Sequence, residues 1–539
     1  MMQTPQHNCG EALAQLLADY GVDTVFGMPG TQTLEIYRGI ARSGLRHVQC
    51  RNEQGAALMA DGYARIAGKP GVITVVTGPG VTNAATGIAQ AYCDSVPMIV
   101  ISGAVATTMQ GKGWGTVHDL DDQSAVTASF TAFSTMVHHP QDIPEWLGRA
   151  FALFRSSRPR PVHLSIPWDV APQPVADAPW AVRRSPSLPM PDPQALKEAA
   201  TVLCQARKPL ILLGGGAIGT GAAARQIAQH LGAVVLTTNA GKGIVPESDA
   251  LSLGCSILQK PSQQALAQAD VVLLVGSEVS EGDHFLPGLD IPGAIVRIDI
   301  DPQELTSVYG AAVAIQSDAR PAMTALAALV CATPPTHGRA NGEAWARDIL
   351  ARNAQGMTAA ERQHARLWRI LRPALPPDCI VMGDMTQLVY SGAFAFPVEH
   401  ENCWFYSGSY CALGVALPMA IGAKIAAPQR PVIAVAGDGG VMFTVNELAT
   451  AAQERLALPV IVWNNDALQE ISDQMDQRQI PRTGVAPPSP DFVMLAQSLG
   501  CTGVRASSAE HLAQAVGAAL LADRPTLIEV RQDSNWLLA

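Results

Sequence analysis

The sequence predicts an α/β protein built from three doubly wound, parallel-sheet domains, and three observations carry that prediction. The chain has 539 residues, too many for one hydrophobic core, since cores stop growing at about 250–300 residues and longer chains divide. Short Val/Ile/Leu runs alternate along it with Ala-rich amphipathic segments, the pattern of parallel strands covered by helices on both faces. Two stretches rich in turn formers, "APQPVADAPWAVRRSPSLPMPDPQ" (171–194) and "CATPPTHGRANGEAW" (331–345), interrupt the alternation. They divide the chain into expected domains at 1–175, 190–332 and 345–539.

In order along the chain, "GVITVVTG" and "PMIVISG" read as buried strands of the first domain. "PLILLGGG", "VVLLVGSE" and "AIVRIDID" belong to the second, and "PVIAVAGDG" and "PVIVWNN" to the third. The first and last thirds share a plan. Residues 70–102 run strand, Gly-Pro-Gly turn, helix, proline, strand; residues 430–464 run strand, Gly-Asp-Gly turn, helix, proline, strand. Such crossovers are right-handed, so both strands of a unit point the same way, and their C-terminal ends share the edge where open α/β sheets bind ligands. The two copies differ where it matters. Pro79 in the first stands where the second has Asp438, and a pyrrolidine cannot ligate a metal.

Composition narrows the function. The formal net charge is −10, with no basic stripe, which argues against nucleic acid or an anionic membrane as partner. The ten cysteines show no CxxC pairing or regular spacing, so neither a disulfide framework nor a zinc site is expected. The start, "MMQTPQHNCGEALAQLLADYG", lacks a basic segment followed by an apolar one, and no apolar run reaches the roughly 18 residues of a membrane helix. A cytoplasmic protein is expected.

Asp438 and the pair Asn464–Asn465 lie at the ends of successive strands, with Asn465 27 residues after Asp438, about one βαβ unit. Carboxylate and amide oxygens are hard ligands suited to Mg²⁺, which completes its octahedron with phosphate oxygens and water. Gly437, Gly439 and Gly440 allow close backbone approach, and the helix that follows offers its N-terminus to an anion. Together these parts describe a site for a metal-bridged diphosphate. The alternative is a plain strand-to-helix turn with the asparagines capping a loop.

GDG, this spacer and NN resemble the diphosphate-binding motif of thiamine-diphosphate enzymes, and the domain order is similar to that of acetolactate synthases and 2-oxo acid decarboxylases. The resemblance spans nearly the whole chain. It implies a pyrimidine-binding first domain, a Rossmann-like middle domain and a diphosphate-binding last domain, with Mg²⁺ held by Asp438, Asn465 and the carbonyl of Ala467. "GSYCALGVALP" (408–418) matches the family segment whose apolar wedge, here Leu413, bends the cofactor. In "GDMTQL", Thr386 and Gln387 match positions that touch the diphosphate.

Glu53 opens the segment "CRNEQGAALMADGYARIAG", read as a helix with Asn52 as N-cap. An acidic residue in a first turn stabilises the helix dipole; the resemblance adds a second role, a carboxyl against N1′ of the aminopyrimidine. Many family members have His before this glutamate, whereas this chain has Asn52. "FGMPG" with Pro29, "TGPGVTN" with Gly78 and Asn83, and Gln90 match pyrimidine-side positions. His118, in "GWGTVHDLDDQ", is either a surface histidine or a proton donor to the reacting carbon. The family builds each site from two subunits, so the resemblance implies a homodimer at least, with a homotetramer common.

Two further segments refine the expectation. "LLGGGAIGTG" contains G-x-G-x-x-G at Gly214, Gly216 and Gly219, but the acid a dinucleotide needs about twenty residues on is missing from "TTNAGKG". Acetolactate synthases that bind FAD carry an "RFDDR"-like segment where this chain has "GSEVSEGDHF", so FAD is not expected. In "NDALQEISDQMDQRQIPRTG", a helix would set Glu470, Asp473 and Gln477 on one face. That is either a solvated acidic face or a recognition site for a cationic substrate tail. The second option agrees with a resemblance to 5-guanidino-2-oxopentanoate (2-ketoarginine) decarboxylases in "VDTVFGMPGTQTLEIYRGIARSGLRHV", "RAFALFRSSRPRPVHLSIPWDV" and "EISDQM". The expected function is thiamine-diphosphate- and Mg-dependent decarboxylation of that 2-oxo acid. The alternatives are carboligation as in acetolactate synthase and a non-catalytic homologue that only binds the cofactor.

Overall fold

Each third of the chain wraps helices around its own six-stranded parallel sheet in the computed structural model, which describes residues 7–176 and 179–538. Residues 1–6, where the reading for a leader begins, lie outside the described residues, as do 177–178 in the first linker and 539. The first sheet orders its strands Arg46–Gln49, Thr24–Gly27, Gly71–Val75, Met98–Ala104, Val162–Pro167 and Phe133–Met136. The third orders Trp404–Tyr406, Ile380–Gly383, Val432–Gly437, Pro459–Asn464, Thr526–Arg531 and Thr502–Arg505. Numbered within each domain, both read 2-1-3-4-6-5. The repeated strand–turn–helix–strand pattern is therefore a repeated domain in space. The middle sheet reads 3-2-1-4-5-6, the order of doubly wound dinucleotide-binding folds.

All pairings within these sheets are parallel. Central strands such as Pro209–Leu213, Val271–Val275 and Val432–Gly437 are buried at every residue, which explains why they read as continuous apolar runs rather than alternating ones. Each fully buried Val or Leu contributes about 1.5–3 kcal/mol of transfer free energy.

The helix Glu53–Ala67 begins where Asn52, in extended backbone, accepts the N–H of Gln54 at 2.8 Å. It ends at Gly68, whose φ of 67° is left-handed, a conformation glycine adopts without steric cost. Its alanine-rich face lies against the helix Ala416–Ala426 of the third domain, and one hydrophobic cluster spans both. Two glycines set the separation. A Cβ at Gly62 would lie 2.1 Å from the Met419 carbonyl oxygen, and one at Gly422 1.9 Å from that of Met59. The backbones touch, which fixes the first domain against the third.

The turn Gly214–Gly219 is engaged in packing. Gly216 donates its N–H to the Gly276 carbonyl at 3.0 Å, and Gly219 donates to Glu401 of the third domain at 2.9 Å. Among the described residues no helix is long and apolar enough to cross a membrane.

Candidate active site

Strand Val432–Gly437 delivers Asp438 at its C-terminal end, and its parallel neighbour Pro459–Asn464, with Trp463 opposite Gly437, delivers the asparagines. The two ends meet through a residue far along the chain. Ser489 Oγ lies 3.0 Å from Asp438 Oδ2 and 3.2 Å from Asn464 Oδ1. Asn464 Oδ1 also accepts the Asp466 N–H at 3.1 Å, so carboxylate, amide and hydroxyl oxygens cluster at the two strand ends. Burial pushes the Asp438 carboxyl above its ordinary range, against the opposing effect of the Ser489 hydroxyl and the Gly439 N–H.

The two asparagines divide their work. Asn464 is buried and donates Nδ2 to Glu529 Oε1 at 2.7 Å. Asn465 donates Nδ2 to Gln532 at 3.0 Å, while its Oδ1 accepts the Ala467 N–H at 3.2 Å. That turn leaves a second lone pair on Oδ1 and holds Ala467 beside it. Asp466, between them, sits at φ 52°, a left-handed conformation that Asp tolerates better than most side chains.

Asp384 organises the adjoining loop. It follows strand Ile380–Gly383 and is buried, and its carboxylate accepts the N–H groups of Met385 (2.8 Å), Gly414 (3.0 Å) and Ala416 (3.3 Å). Burial pushes its carboxyl up to about 6 although these donors oppose the shift. Leu413, half-buried, is carried on this turn, and Thr444 Oγ1 fastens the turn from the other side by donating to the Gly414 carbonyl at 2.7 Å. The predicted glycines sit in close contact. A Cβ at Gly440 would lie 3.0 Å from Asp384 Oδ1, one at Gly439 2.8 Å from Leu468 Cδ2, and one at Gly437 3.2 Å from Thr386 Oγ1.

Gln387, next to Thr386, donates its Nε2 to Glu470 Oε2 at 3.0 Å and to Asp473 Oδ2 at 2.9 Å. Both acids stand on the helix Gln469–Gln477, as expected, whereas Gln477 is exposed at its last turn and apart from them. Burial and then the Glu470 carboxylate push the nearby Tyr390 hydroxyl up. Tyr390 in turn packs edge-on against Phe285 of the middle domain, with ring centroids 5.2 Å apart.

In the first domain Glu53 is 4% exposed, and Asn83 donates Nδ2 to its Oε2 at 3.0 Å. Gly78 is buried at φ 65°, donates its N–H to Gln123 at 2.8 Å, and abuts the His118 backbone, where a Cβ would lie 2.3 Å from the carbonyl oxygen. The His118 side chain and Pro29 are exposed at the rim. Gln90 lies deeper in the domain. It is fully buried two turns along the helix from Asn83, and its amide is used by Asp94, at 2.7 Å, and by the Ser407 hydroxyl.

Ser489, Asp384 and Glu529 were not among the expected site residues. Asp384 lies inside the "GDMTQL" segment already singled out, so its signal was present. Ser489 sits in "APPSPD", which reads as a plain loop.

Family comparison agrees with this arrangement. Models described as the thiamine pyrophosphate enzyme N-terminal TPP binding domain, central domain and C-terminal TPP binding domain match residues 7–126, 196–326 and 384–530. The chain belongs to the thiamine pyrophosphate enzymes and is an enzyme of the class that includes the decarboxylases and acetolactate synthases. Among its relatives, the "Probable 2-ketoarginine decarboxylase AruI" of Pseudomonas aeruginosa is 45% identical over 97% of this chain and 93% of its own length. The acetolactate synthase isozyme 3 large subunit of Escherichia coli is 31% identical over 95% of this chain and 92% of its own. The acetolactate synthase large subunit of Lactococcus lactis is 30% identical over 96% and 92%.

Proposed function

We propose that this enzyme uses thiamine diphosphate and Mg²⁺ to decarboxylate 5-guanidino-2-oxopentanoate. Asp438, Asn465 Oδ1 and the Ala467 carbonyl would hold the metal. The oxygen cluster at Asp438, Asn464 and Ser489 supports this, because hard oxygen donors suit Mg²⁺. Thr386 and the glycine-lined turn Gly437–Gly440 would lie along the diphosphate, Leu413 under the bend, and Glu53 with Gly78 and Asn83 at the aminopyrimidine. When bound, thiamine diphosphate supplies a nucleophilic ring carbon and an electron sink for the leaving carboxylate. Glu53 keeps a proton at the aminopyrimidine ring, with Asn83 fixing one carboxyl oxygen. His118, on the exposed rim of the first domain, would return a proton to the reacting carbon.

The observation that carries the substrate is the pair Glu470 and Asp473 converging on one neutral amide, Gln387. Two carboxylates whose side-chain donors, Gln387, Gln469 and Gln474, are all neutral amides keep their negative charge, and a planar guanidinium presents paired donors to such acids. The 45% identity to a probable 2-ketoarginine decarboxylase supports the same choice. The test compares decarboxylation of 2-ketoarginine and pyruvate in the wild type and in Glu470→Gln. The preference for 2-ketoarginine is expected to fall by about tenfold or more, as the loss of a charged hydrogen bond of about 1.5–3 kcal/mol requires; an unchanged preference refutes the carboxylate reading.

A second reading, carboligation, is favoured by the relatives named acetolactate synthase. Product analysis with pyruvate separates the two, since acetolactate forms only in carboligation. A cytoplasmic homodimer or homotetramer completes the proposal.

A further inference from the structure

We infer that Glu447 is a positioning residue for Glu53, tying the backbone in front of the Glu53 helix to the segment that begins at Asp438. Glu447 is fully buried. Its Oε1 accepts the N–H of Arg51 at 3.0 Å and of Asn52 at 2.9 Å, and its Oε2 accepts the Thr450 hydroxyl at 2.7 Å. Arg51 and Asn52 immediately precede Glu53, and neither N–H has a partner within the helix. The fit is tight, since a Cβ on Gly55 would lie 2.3 Å from Glu447 Oε1.

The same segment of the third domain makes further ties nearby. Gly440 lies against Asp384, Thr444 fastens the turn that carries Leu413, Gln453 accepts Arg51 Nη2 at 2.8 Å, and Glu454 accepts Arg46 Nη2 at 2.5 Å. One stretch of chain thus begins at Asp438 and touches Asp384, the Leu413 loop and the approach to Glu53. A catalytic carboxyl displaced by about 1 Å can lose roughly 100-fold in rate, so the anchoring of its backbone has a chemical consequence. Burial holds the Glu447 carboxyl above its ordinary range. In either protonation state it can still accept both backbone N–H groups, so reach, not charge, is the required property.

This inference rests on the role given to Glu53 above, and its test separates the two. Glu447→Gln keeps the reach, Glu447→Asp keeps the charge but is one methylene shorter, and Glu447→Ala loses both. In the cofactor-free protein, amide hydrogen exchange read by mass spectrometry at Arg51 and Asn52 is expected to accelerate about tenfold or more in the Asp and Ala variants and to stay within about twofold in Gln. With thiamine diphosphate and Mg²⁺ added, exchange of the cofactor's C2 proton is expected to slow about tenfold or more in Asp and Ala, with cofactor affinity changed less than about threefold, and Gln again near wild type. Normal behaviour in Asp with loss in Gln overturns the inference, as does equal loss of exchange rate and affinity in Asp. Should Ala not fold, the Asp–Gln pair decides. A wild type that fails to promote C2 exchange overturns the Glu53 reading itself, whatever the amide exchange shows.

Discussion

Ser489 shows how a single hydroxyl can mark a site. Placed between Asp438 Oδ2 and Asn464 Oδ1, it gathers hard oxygens around one carboxylate, so removal of that carboxylate should remove the main attraction for a cation. Calorimetry of thiamine diphosphate in Mg²⁺ buffer is expected to show Asp438→Ala weakened by more than about 100-fold, beyond the usual cost of losing a supporting group around a metal; equal affinity would sink the assignment. His163 gives a second residue-scale prediction. It is fully buried between Ser102 (2.8 Å) and Thr127 (2.7 Å), and burial lowers its imidazole to about 3. The unfolded chain protonates this group near pH 6.5. Its contribution to stability is therefore complete above that pH and lost as pH falls toward 3, at up to about 1.4 kcal/mol per pH unit. Urea midpoints measured from pH 7 to pH 4 should fall less steeply in His163→Gln than in the wild type.

Among the elements, the helix pair Glu53–Ala67 and Ala416–Ala426 sets the distance between the domains that carry Glu53 and Asp438. Its backbones approach too closely at Gly62 and Gly422 for any side chain. Gly62→Ala should cost about 1–3 kcal/mol in denaturant stability, as overpacking of a filled core does; a neutral substitution would mean that the helices can part freely. The start of the first of these helices was legible locally, because Asn52 before an acidic first turn is a capping signal that needs nothing distant. Its partner was not. Alanine and glycine on a helix face predict close packing but do not say against what. The same limit applies to Gln90, whose motif position does not reveal that the Ser407 hydroxyl of the third domain donates to its Oε1.

For the whole molecule, the first and third domains share a sheet order but not their chemistry, since Asp438 replaces Pro79 at the matching turn. If each active site takes its two halves from two copies of the chain, mixing Glu53→Gln with Asp438→Ala should restore activity. Random pairing in a dimer gives one intact site in each mixed dimer, or roughly a quarter of wild-type activity. No recovery after subunit exchange would mean that each chain builds its site alone.

Residue order and spacing were sufficient for the domain class, the helix after Asn52 and the pairing of Asp438 with the asparagines, because a single βαβ unit carries both strand ends to one edge of its sheet. Tertiary structure alone decided that Ser489 closes the oxygen cluster, that Gln387 gathers Glu470 and Asp473, and that Glu447 reaches Arg51 across 396 residues of sequence. The reason is physical. Periodicity and capping report forces between near neighbours, whereas these contacts arise from how separately folded sheets and loops settle against one another.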